Sequence, residues 1–186
     1  KPQYSDFDDV KETVFRARHA GMQVMLDMHL SDFWADPGHQ LIPAAWVNVA
    51  SNSSLLADSV YNYVFNTLTA LNEDSLMPEM VKVGNENNGG ILRHTVLNED
   101  YSVGGSVSND WNRHALLYNA AIRAIRDASA GTSIKPKIVL HYAGLSGLEA
   151  WYQNLTNKGV TDFDIIGFSY YYSWHNSSIT AMGNTI

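Results

Sequence analysis

The stretch Met80-Val81-Lys82-Val83-Gly84-Asn85-Glu86-Asn87-Asn88 joins a short apolar strand to an Asn-Glu pair. The first four residues have the length and composition of a buried strand, and the glycine marks its end. Enzymes built on (β/α)8 barrels carry their reactive groups at the carboxyl ends of strands. The stretch therefore predicts a strand with a reactive carboxylate, Glu86, at its end.

Helix and strand signals alternate on both sides of this stretch. Further strands are expected at 22–26, 136–141 and 164–170, and helices at 6–20, 54–72, 109–130 and 148–157. Asn109 is the expected cap of the third helix. Strands separated by helices predict a parallel sheet with right-handed crossovers. Such a sheet is either an open doubly wound sheet or a (β/α)8 barrel.

The loops favour the barrel. The long polar segments 30–52 and 87–108 follow strands, whereas the turns from helix to strand are short. Barrel enzymes build their sites from the loops after the strands, and a complete barrel needs about 250 residues. No GxGxxG or Walker pattern supports a nucleotide-binding open sheet. We predict an α/β fold, a (β/α)8 TIM barrel of which the four predicted strands form only a part.

Composition removes several classes of partner. The net charge is −7 with no cluster of lysine and arginine, so nucleic acid and anionic membranes are poor partners. No apolar run is long enough to span a membrane. The absence of cysteine excludes disulfides and thiolate metal sites. Five tryptophans and ten tyrosines suit sugar binding, because ring faces stack on apolar C–H patches, although the same residues also fill cores.

Polar side chains end all four predicted strands. They are Asp27 and His29, Asn85 and Glu86, His141, and Ser169 and Tyr170. In a barrel these strand ends meet on one face, which predicts a site. Each residue also has a structural interpretation, as a buried polar group, a structural histidine or a core tyrosine.

Two chemistries remain open for these strand ends. Glycoside cleavage uses two carboxylates, one of which donates a proton, and Glu86 suits that role. A metal-dependent barrel hydrolase is the alternative, with Asp27, His29 and His141 as ligands, although no HExxH motif is present. A serine nucleophile is disfavoured because no GxSxG motif occurs.

Longer motifs point to one family. The first motif is the stretch Leu26-Asp27-Met28-His29-Leu30-Ser31-Asp32-Phe33-Trp34-Ala35-Asp36-Pro37-Gly38. It resembles the loop after strand three of glycoside hydrolase family 53, the endo-β-1,4-galactanases. Pro43-Ala44-Ala45-Trp46 is similar to the downstream Pro-x-x-Trp of that family. Val83-Gly84-Asn85-Glu86-Asn87-Asn88-Gly89 resembles its strand-four motif. Gly167-Phe168-Ser169-Tyr170-Tyr171, followed by Trp174-His175, resembles its strand-six motif.

The resemblance implies a partial (β/α)8 TIM barrel with about strands 3 to 6 present, residues 1–186 being the central part of a single catalytic barrel truncated at both ends. It also implies a retaining attack on internal β-1,4-galactan linkages in type I arabinogalactan or pectin side chains. It implies that Glu86 is the general acid/base and that Asn85 binds the 2-hydroxyl of the sugar. Further substrate-binding positions implied by the resemblance are Asp27, His29, His141 and Tyr170, with Trp34 and Trp174 as sugar platforms. No cofactor and no metal are implied, and the partner is the galactan polymer.

The second carboxylate is expected to lie outside the chain. The family's nucleophile is a glutamate at the end of strand seven, and none of the other glutamates here follows a predicted strand in a position to act as nucleophile; Glu99 lies in the loop after the second predicted strand. The isolated chain is therefore expected to be inactive unless copies of itself or the missing barrel segments restore the site. A non-catalytic galactan-binding or assembly fragment is the alternative. The resemblance places the intact parent outside the cell or in the cell envelope or periplasm.

Overall fold

The computed structural model describes residues 6–93, 109–175 and 178–185. The strands are β1 (Met25–Met28), β2 (Met80–Val83), β3 (Lys137–Ala143) and β4 (Ile165–Ser169). The helices are α1 (Phe7–His19), α2 (Ser53–Glu73), α3 (Trp111–Ser129), α4 (Leu148–Asn157), α5 (Tyr172–His175) and α6 (Ile179–Thr185), and a 3-10 helix (Ala44–Val49) precedes α2. No helix within these ranges is long and apolar enough to cross a membrane.

The four strands form one parallel sheet in the order β1-β2-β3-β4. Lys82 of β2 faces Asp27 of β1 on one side and Val139 of β3 on the other. A doubly wound sheet reverses its strand order at a switch point, whereas this sheet runs in one direction from first strand to last. Right-handed crossovers then place the helices on one face. The strand order is that of a barrel, which decides between the two architectures left open by the sequence.

The hydrophobic core lies between the sheet and the helices. Leu26 and Met28 of β1 are buried, whereas Met25 and Asp27 on the alternate positions are exposed. The buried face of α2 is apolar at helical spacing, with Leu56, Val60, Val64, Leu68 and Leu71. Each such aliphatic side chain contributes about 1.5–3 kcal/mol when it is fully buried. The helix-facing side of the sheet therefore carries the stability, and the opposite side is left for polar groups.

The start of α3 differs from the prediction by one residue. Asp110, not Asn109, caps the helix, and its Oδ1 accepts a hydrogen bond from the Arg113 N–H at 3.1 Å. Asn109 instead adopts a left-handed conformation with φ of 60°. Both residue types cap helices, so only the backbone conformation separates the two positions.

The start of β1 lies later in the chain than predicted, because Val24 bonds to a distant residue. The Val24 N–H donates to Oε2 of Glu79 at 2.8 Å, and its carbonyl accepts from the N–H groups of Glu79 and Met80. The regular strand thus begins at Met25. The segment expected as a plain loop over 30–52 also contains the 3-10 helix, and most of the loop expected over 87–108 lies outside the described residues.

A charged clamp fastens the amino ends of β1 and β2 to α1. Glu79, just before β2, accepts the Val24 N–H with one carboxylate oxygen. Its other oxygen lies 2.7 Å from Nη1 of Arg18 on α1. One side chain thereby ties a helix to the two strands that follow it.

The same arrangement recurs at β3 and β4. Asp164, just before β4, accepts the Ile138 N–H at 2.8 Å through Oδ2. The same oxygen lies 3.1 Å from Nη2 of Arg126 on α3. The two clamps match in each part: an arginine on the preceding helix, an acid before the second strand, and a backbone N–H at the start of the first.

Low pH is expected to weaken both clamps. Burial by itself raises the pKa of Glu79, but the bond from the Val24 N–H and the charge of Arg18 outweigh it, so the pKa lies below the ordinary 4.5. A similar balance holds the pKa of Asp164 below the ordinary 3.8. Because the folded chain lowers these pKa values, the stabilisation is complete above the ordinary values and is lost as the pH falls through the folded-state values.

We therefore expect the free energy of unfolding in urea to fall progressively as the pH is lowered below about 5. The fall should be smaller in Glu79→Gln, whose side chain has no proton to gain. Glu12→Gln, at an exposed position of α1, serves as the matched control and should keep the full fall. An unchanged pH dependence in Glu79→Gln would contradict the role given to the clamp.

Candidate active site

Glu86 lies in a tight reversal of the chain after β2. Gly84 and Glu86 have φ of 72° and 52°, both in the left-handed region. Glycine adopts this region freely, whereas a side chain with a Cβ costs roughly 1–2 kcal/mol there. The surroundings must therefore hold Glu86 in place. The Glu86 N–H donates to Nδ1 of His141 on β3 at 3.1 Å, and this bond is part of that support.

The two residues after Glu86 are also anchored to β3. The Asn87 N–H donates to the His141 carbonyl at 3.0 Å. The Asn88 side chain bonds to both backbone groups of Ala143, donating to the carbonyl at 2.9 Å and accepting the N–H at 2.8 Å. Nε1 of Trp151 on α4 donates to the Asn87 carbonyl at 2.9 Å. The segment that carries Glu86 is thus fixed to a strand and a helix.

Buried groups fill the space beneath this segment. The fully buried Asn87 side chain donates to the Val83 carbonyl at 2.9 Å. A Cβ on Gly84 would lie 2.4 Å from Nδ2 of Asn87, and a Cβ on Gly90 would lie 2.0 Å from Nε2 of His114. Both glycines are therefore required by close packing as well as by their positive φ.

Arg113 holds the continuation of the segment from below. Its guanidinium donates to the carbonyls of Ile91 at 3.2 Å and Leu92 at 2.6 Å. Burial lowers the pKa of Arg113 to about 10, so the side chain stays charged at neutral pH. This buried cation stabilises a loop whose Leu92 also has a left-handed backbone, with φ of 54°.

Lys82 is a site residue that the sequence interpretation missed. Its buried ammonium group lies 2.7 Å from Oδ2 of Asp27, 2.7 Å from Oδ1 of Asn85 and 3.3 Å from Nδ1 of His141. The ammonium thus has two close acceptors, and the longer contact with Nδ1 is shared with the Glu86 N–H. The available signal was a lysine at the inward position of a strand that is otherwise apolar, where a charge is rarely found without a partner.

His141 is held as a neutral imidazole of one tautomer. Its Nδ1 faces two donors, the Glu86 N–H and the Lys82 ammonium, so Nδ1 carries no proton. The proton therefore lies on Nε2, which donates to Oγ of Ser169 at 3.1 Å. Burial and then the Lys82 charge lower the pKa of His141, against the opposing charges of Glu86 and Asp27.

Asp27 and His29 form the β1 side of the same network. The Ala35 N–H donates to Nδ1 of His29 at 3.1 Å, so the proton lies on Nε2, which points to Oδ2 of Asp27 at 3.3 Å. The Asp27 side chain is only one-third exposed, and this partial burial by itself raises the pKa of Asp27, but hydrogen bonds from His29 and Lys82 outweigh it and the net pKa is lowered. Asp27 is therefore a carboxylate at neutral pH, already bonded to two donors.

Asn85 connects the network to the loop after β1. Its Oδ1 accepts from Lys82, and its Nδ2 donates to the Ala35 carbonyl at 2.7 Å. The buried Gln40 side chain donates to the Asn85 carbonyl at 2.8 Å. Because an amide nitrogen carries two hydrogens, the contacts described use one and leave one for a ligand.

The three aromatic candidates lie in two places. Trp34, in the loop after β1, is 74% exposed and has its ring centroid 5.0 Å from that of His29. Trp174, on α5 beyond β4, is 75% exposed and tilts against Tyr171 with centroids 4.9 Å apart. The Tyr170 ring lies 5.9 Å from that of His175. The exposed indoles thus flank the sheet at its first and last strands.

Among the residues that the structure describes, the predicted polar residues come together and no second glutamate lies beside Glu86; Glu99 lies outside the described residues. One hydrogen-bond network contains the predicted residues Asp27, His29, Asn85, Glu86 and His141, together with Lys82 and Ser169. Glu12, Glu73 and Glu149 lie on helices and Glu79 at the opposite end of β2. Within the described ranges no group of three or more histidines and acids is arranged to hold a metal ion.

Comparison with known proteins points in one direction. The chain matches the family described as glycosyl hydrolase family 53 over residues 1–186. It is 40% identical over 184 residues to an arabinogalactan endo-beta-1,4-galactanase of Cellvibrio japonicus (strain Ueda107), which covers 99% of this chain and 47% of that protein. It is 35% identical over 171 residues to an arabinogalactan endo-beta-1,4-galactanase of Thermothelomyces thermophilus, covering 89% and 47%. The chain spans about half the length of the curated relatives it matches.

Solved structures show the same fold. The chain superposes on the GH53 catalytic domain of Ignisphaera aggregans with a TM-score of 0.82 and 32% identity, covering 97% of this chain and 46% of that one. It superposes on a chain from a study of two fungal beta-1,4-galactanases with a TM-score of 0.84 and 29% identity, covering 98% and 53%. The predicted α/β fold, part of a (β/α)8 barrel, is confirmed.

Proposed function

This chain belongs to glycosyl hydrolase family 53, and we propose that it supplies the acid/base side of an endo-β-1,4-galactanase active site. Residues 1–186 form, in this proposal, the central part of a single catalytic barrel. The observation that supports it best is Glu86, a carboxyl group at the end of β2 held in a left-handed conformation by β3. Strained backbone at a site of this kind is a common mark of catalytic residues.

The proposed reaction is retaining hydrolysis of internal β-1,4-galactan linkages, as in type I arabinogalactan and pectin side chains. Protonated Glu86 donates its proton to the glycosidic oxygen while the bond from that oxygen to the anomeric carbon breaks. A second carboxylate, about 5–5.5 Å away, attacks the anomeric carbon and forms a glycosyl ester. Ionised Glu86 then takes a proton from water as the water attacks the same carbon and releases the second carboxylate.

The neighbours of Glu86 fall into two groups in this proposal. Asn85 binds the 2-hydroxyl of the sugar through its remaining amide hydrogen, and His29 and Tyr170 line the same subsite. Asp27 and His141 form the second group and belong to the same subsite. Because their described bonds run to other protein groups, they orient those groups and through them the substrate. The sequence assigned all of these as substrate-binding residues.

The exposed indoles are proposed to hold the polymer. Trp34 and Trp174 lie beyond the first and last strands, so a chain of sugars crossing the strand ends passes both. Aromatic faces bind the apolar C–H patches of sugars without bonding to the reacting carbon. The proposal needs no cofactor, and it places the enzyme outside the cytoplasm or in the cell envelope, where a polymer that cannot cross a membrane is available.

No other glutamate of the described residues lies near Glu86, so none of them can serve as the second carboxylate. We therefore propose that the 186-residue chain alone binds galactan without hydrolysing it. Both β1 and β4 pair on one side only in the described sheet, so each has an open edge to which another strand can add. Further barrel strands, from another chain or from copies of this one, would complete the site.

A chimera tests the proposal. In it, residues 1–186 replace the matching segment of the Cellvibrio japonicus relative, whose remaining half supplies the other strands. We expect the chimera to shorten β-1,4-galactan and release new reducing ends, and the 186-residue chain to show galactan binding in affinity electrophoresis with no new reducing ends. Turnover by the chain alone, abolished by Glu86→Gln, would overturn the proposed inactivity. A folded chimera without turnover would contradict the proposed activity.

A further inference from the structure

We propose that Lys82 is a positioning residue for the acid/base group, setting the orientation of the Asn85 amide and the tautomer of His141. The inference rests on the proposed function of Glu86. Lys82 does not touch Glu86 in this arrangement. It acts through two residues that do: Asn85, which precedes Glu86 in the chain, and His141, which accepts the Glu86 N–H.

The position of Lys82 makes it the centre of a network that crosses the whole sheet. Its ammonium contacts Asp27 on β1 and His141 on β3, both within 3.3 Å. Asp27 extends the network to His29, and His141 extends it to Ser169 on β4. All four strand ends are therefore connected through one buried cation.

Lys82 settles which end of the Asn85 amide faces the substrate side. The ammonium has only donors, so it must face the amide oxygen, as it does at 2.7 Å. The amide nitrogen is then directed to the Ala35 carbonyl with one hydrogen, and its second hydrogen is not used in the described contacts. An inverted amide would set N–H against N–H at Lys82 and carbonyl against carbonyl at Ala35. The cation thus fixes a donor, not an acceptor, for the sugar hydroxyl.

Lys82 also settles the state of His141. A proton on Nδ1 would face the ammonium and the Glu86 N–H, and the bond that holds the Glu86 backbone would be lost. The charged and titratable groups acting on the imidazole are Lys82 and His29, which favour the neutral form, and Glu86 and Asp27, which oppose it. Burial and the Lys82 charge outweigh the charges of Glu86 and Asp27, so the pKa of His141 is lowered.

Stability alone gives no reason for a lysine here. Burying an ammonium costs free energy that its ion pair with Asp27 repays only with good geometry, and apolar replacements of buried pairs are often neutral or stabilising. Methionine, an unbranched apolar residue of similar length, is therefore the informative replacement at this strand position. The contacts of Lys82 instead control groups that adjoin Glu86, which is the property expected of a positioning residue.

The test uses nitrogen-15 NMR of the 186-residue chain, without substrate, so that it does not depend on galactan hydrolysis. In the unaltered chain we expect His141 to show a protonated Nε2 and an unprotonated Nδ1 at neutral pH. We expect the Glu86 N–H to exchange slowly and the Asn85 side-chain amide to give two sharp signals. In Lys82→Met, exchange of the Glu86 N–H should accelerate on the order of tenfold, as for a weakened hydrogen bond.

Two further variants separate positioning from general destabilisation. Lys82→Gln keeps an N–H donor without the charge and should restore most of the protection of the Glu86 N–H. Lys137→Met changes an exposed lysine on β3 and should leave all three signals unchanged. In the active chimera, Lys82→Met should lower kcat on the order of tenfold, as for a weakened hydrogen bond, with less change in KM.

Two results would overturn the inference. One is a proton on Nδ1 of His141 in the unaltered chain, which needs no variant to fold. The other is a folded Lys82→Met in which the tautomer, the Asn85 amide signals and the Glu86 exchange rate are unchanged. If Lys82→Met does not fold, the tautomer of His141 in the unaltered chain decides the question by itself. If the unaltered chimera does not hydrolyse galactan but the NMR results are as expected, the proposed function is contradicted and the positioning role of Lys82 is not.

Discussion

Galactan hydrolysis by the chimera is expected to fall by about 10²–10⁴-fold in Glu86→Ala, the usual contribution of general acid/base help. The leaving sugar oxygen of a polymer is a poor leaving group, so it depends on the proton that Glu86 donates. The measurement is the rate of new reducing ends from β-1,4-galactan at saturating substrate. The matched control is Glu149→Ala, an exposed glutamate on α4, which should keep full activity.

The substrate dependence of Glu86→Ala separates loss of the acid from loss of the fold. An aryl galactoside with an activated leaving group needs no proton, so formation of the glycosyl ester should be largely retained. Water then attacks slowly without a base, and azide, which needs none, should restore turnover and yield a galactosyl azide. Full activity of Glu86→Ala on galactan would falsify the assignment, and a variant inactive on both substrates that azide does not rescue would also count against it.

Gly90→Ala is expected to lower the free energy of unfolding by roughly 2–5 kcal/mol. Gly90 has φ of 105°, where a side chain costs roughly 1–2 kcal/mol. A Cβ there would also lie within 2.2 Å of three ring atoms of the buried His114, and overpacking of this kind costs roughly 1–3 kcal/mol. Urea unfolding at neutral pH measures the loss.

Two other glycines separate the two causes. Gly159 has φ of 87° and open space around a Cβ, so Gly159→Ala should show the conformational cost alone, about 1–2 kcal/mol. Gly131 has open space and no positive φ, so Gly131→Ala should be close to neutral or slightly stabilising. Equal losses in Gly90→Ala and Gly159→Ala would show that His114 does not pack against the loop that follows Glu86.

The fold could be predicted from the sequence because the patterns that indicate helices and strands are local. The apolar spacing of α2 and the polar residues at the strand ends follow from nearest neighbours along the chain, and they predicted the alternating elements and a common face. The gathering of Asp27, His29, Asn85, Glu86 and His141 then follows from parallel pairing. Their roles in galactan hydrolysis stay predictions.

The missed features depend on contacts between residues far apart in the chain. Lys82 was read as part of an apolar strand, and its importance appears only when the register places it opposite Asp27. The late start of β1 depends on Glu79, which follows Val24 by 55 residues. The role of His141 as acceptor for the Glu86 N–H needs the left-handed turn, which no composition rule would have placed at a glutamate.

The paired clamps below the sheet suggest where this chain can be cut and rejoined. Each clamp lies within one helix and the two strands that follow, so residues 7–83 and 111–169 each contain their own fastening, while α2 packs on α3 and β2 pairs with β3 across the two segments. A crossover between residues 83 and 111 would separate no arginine from its acid, although it would pass through the loop that carries Glu86. Recombination among relatives at that junction should therefore keep both clamps and disturb instead the bonds that hold the Glu86 segment to β3 and α4.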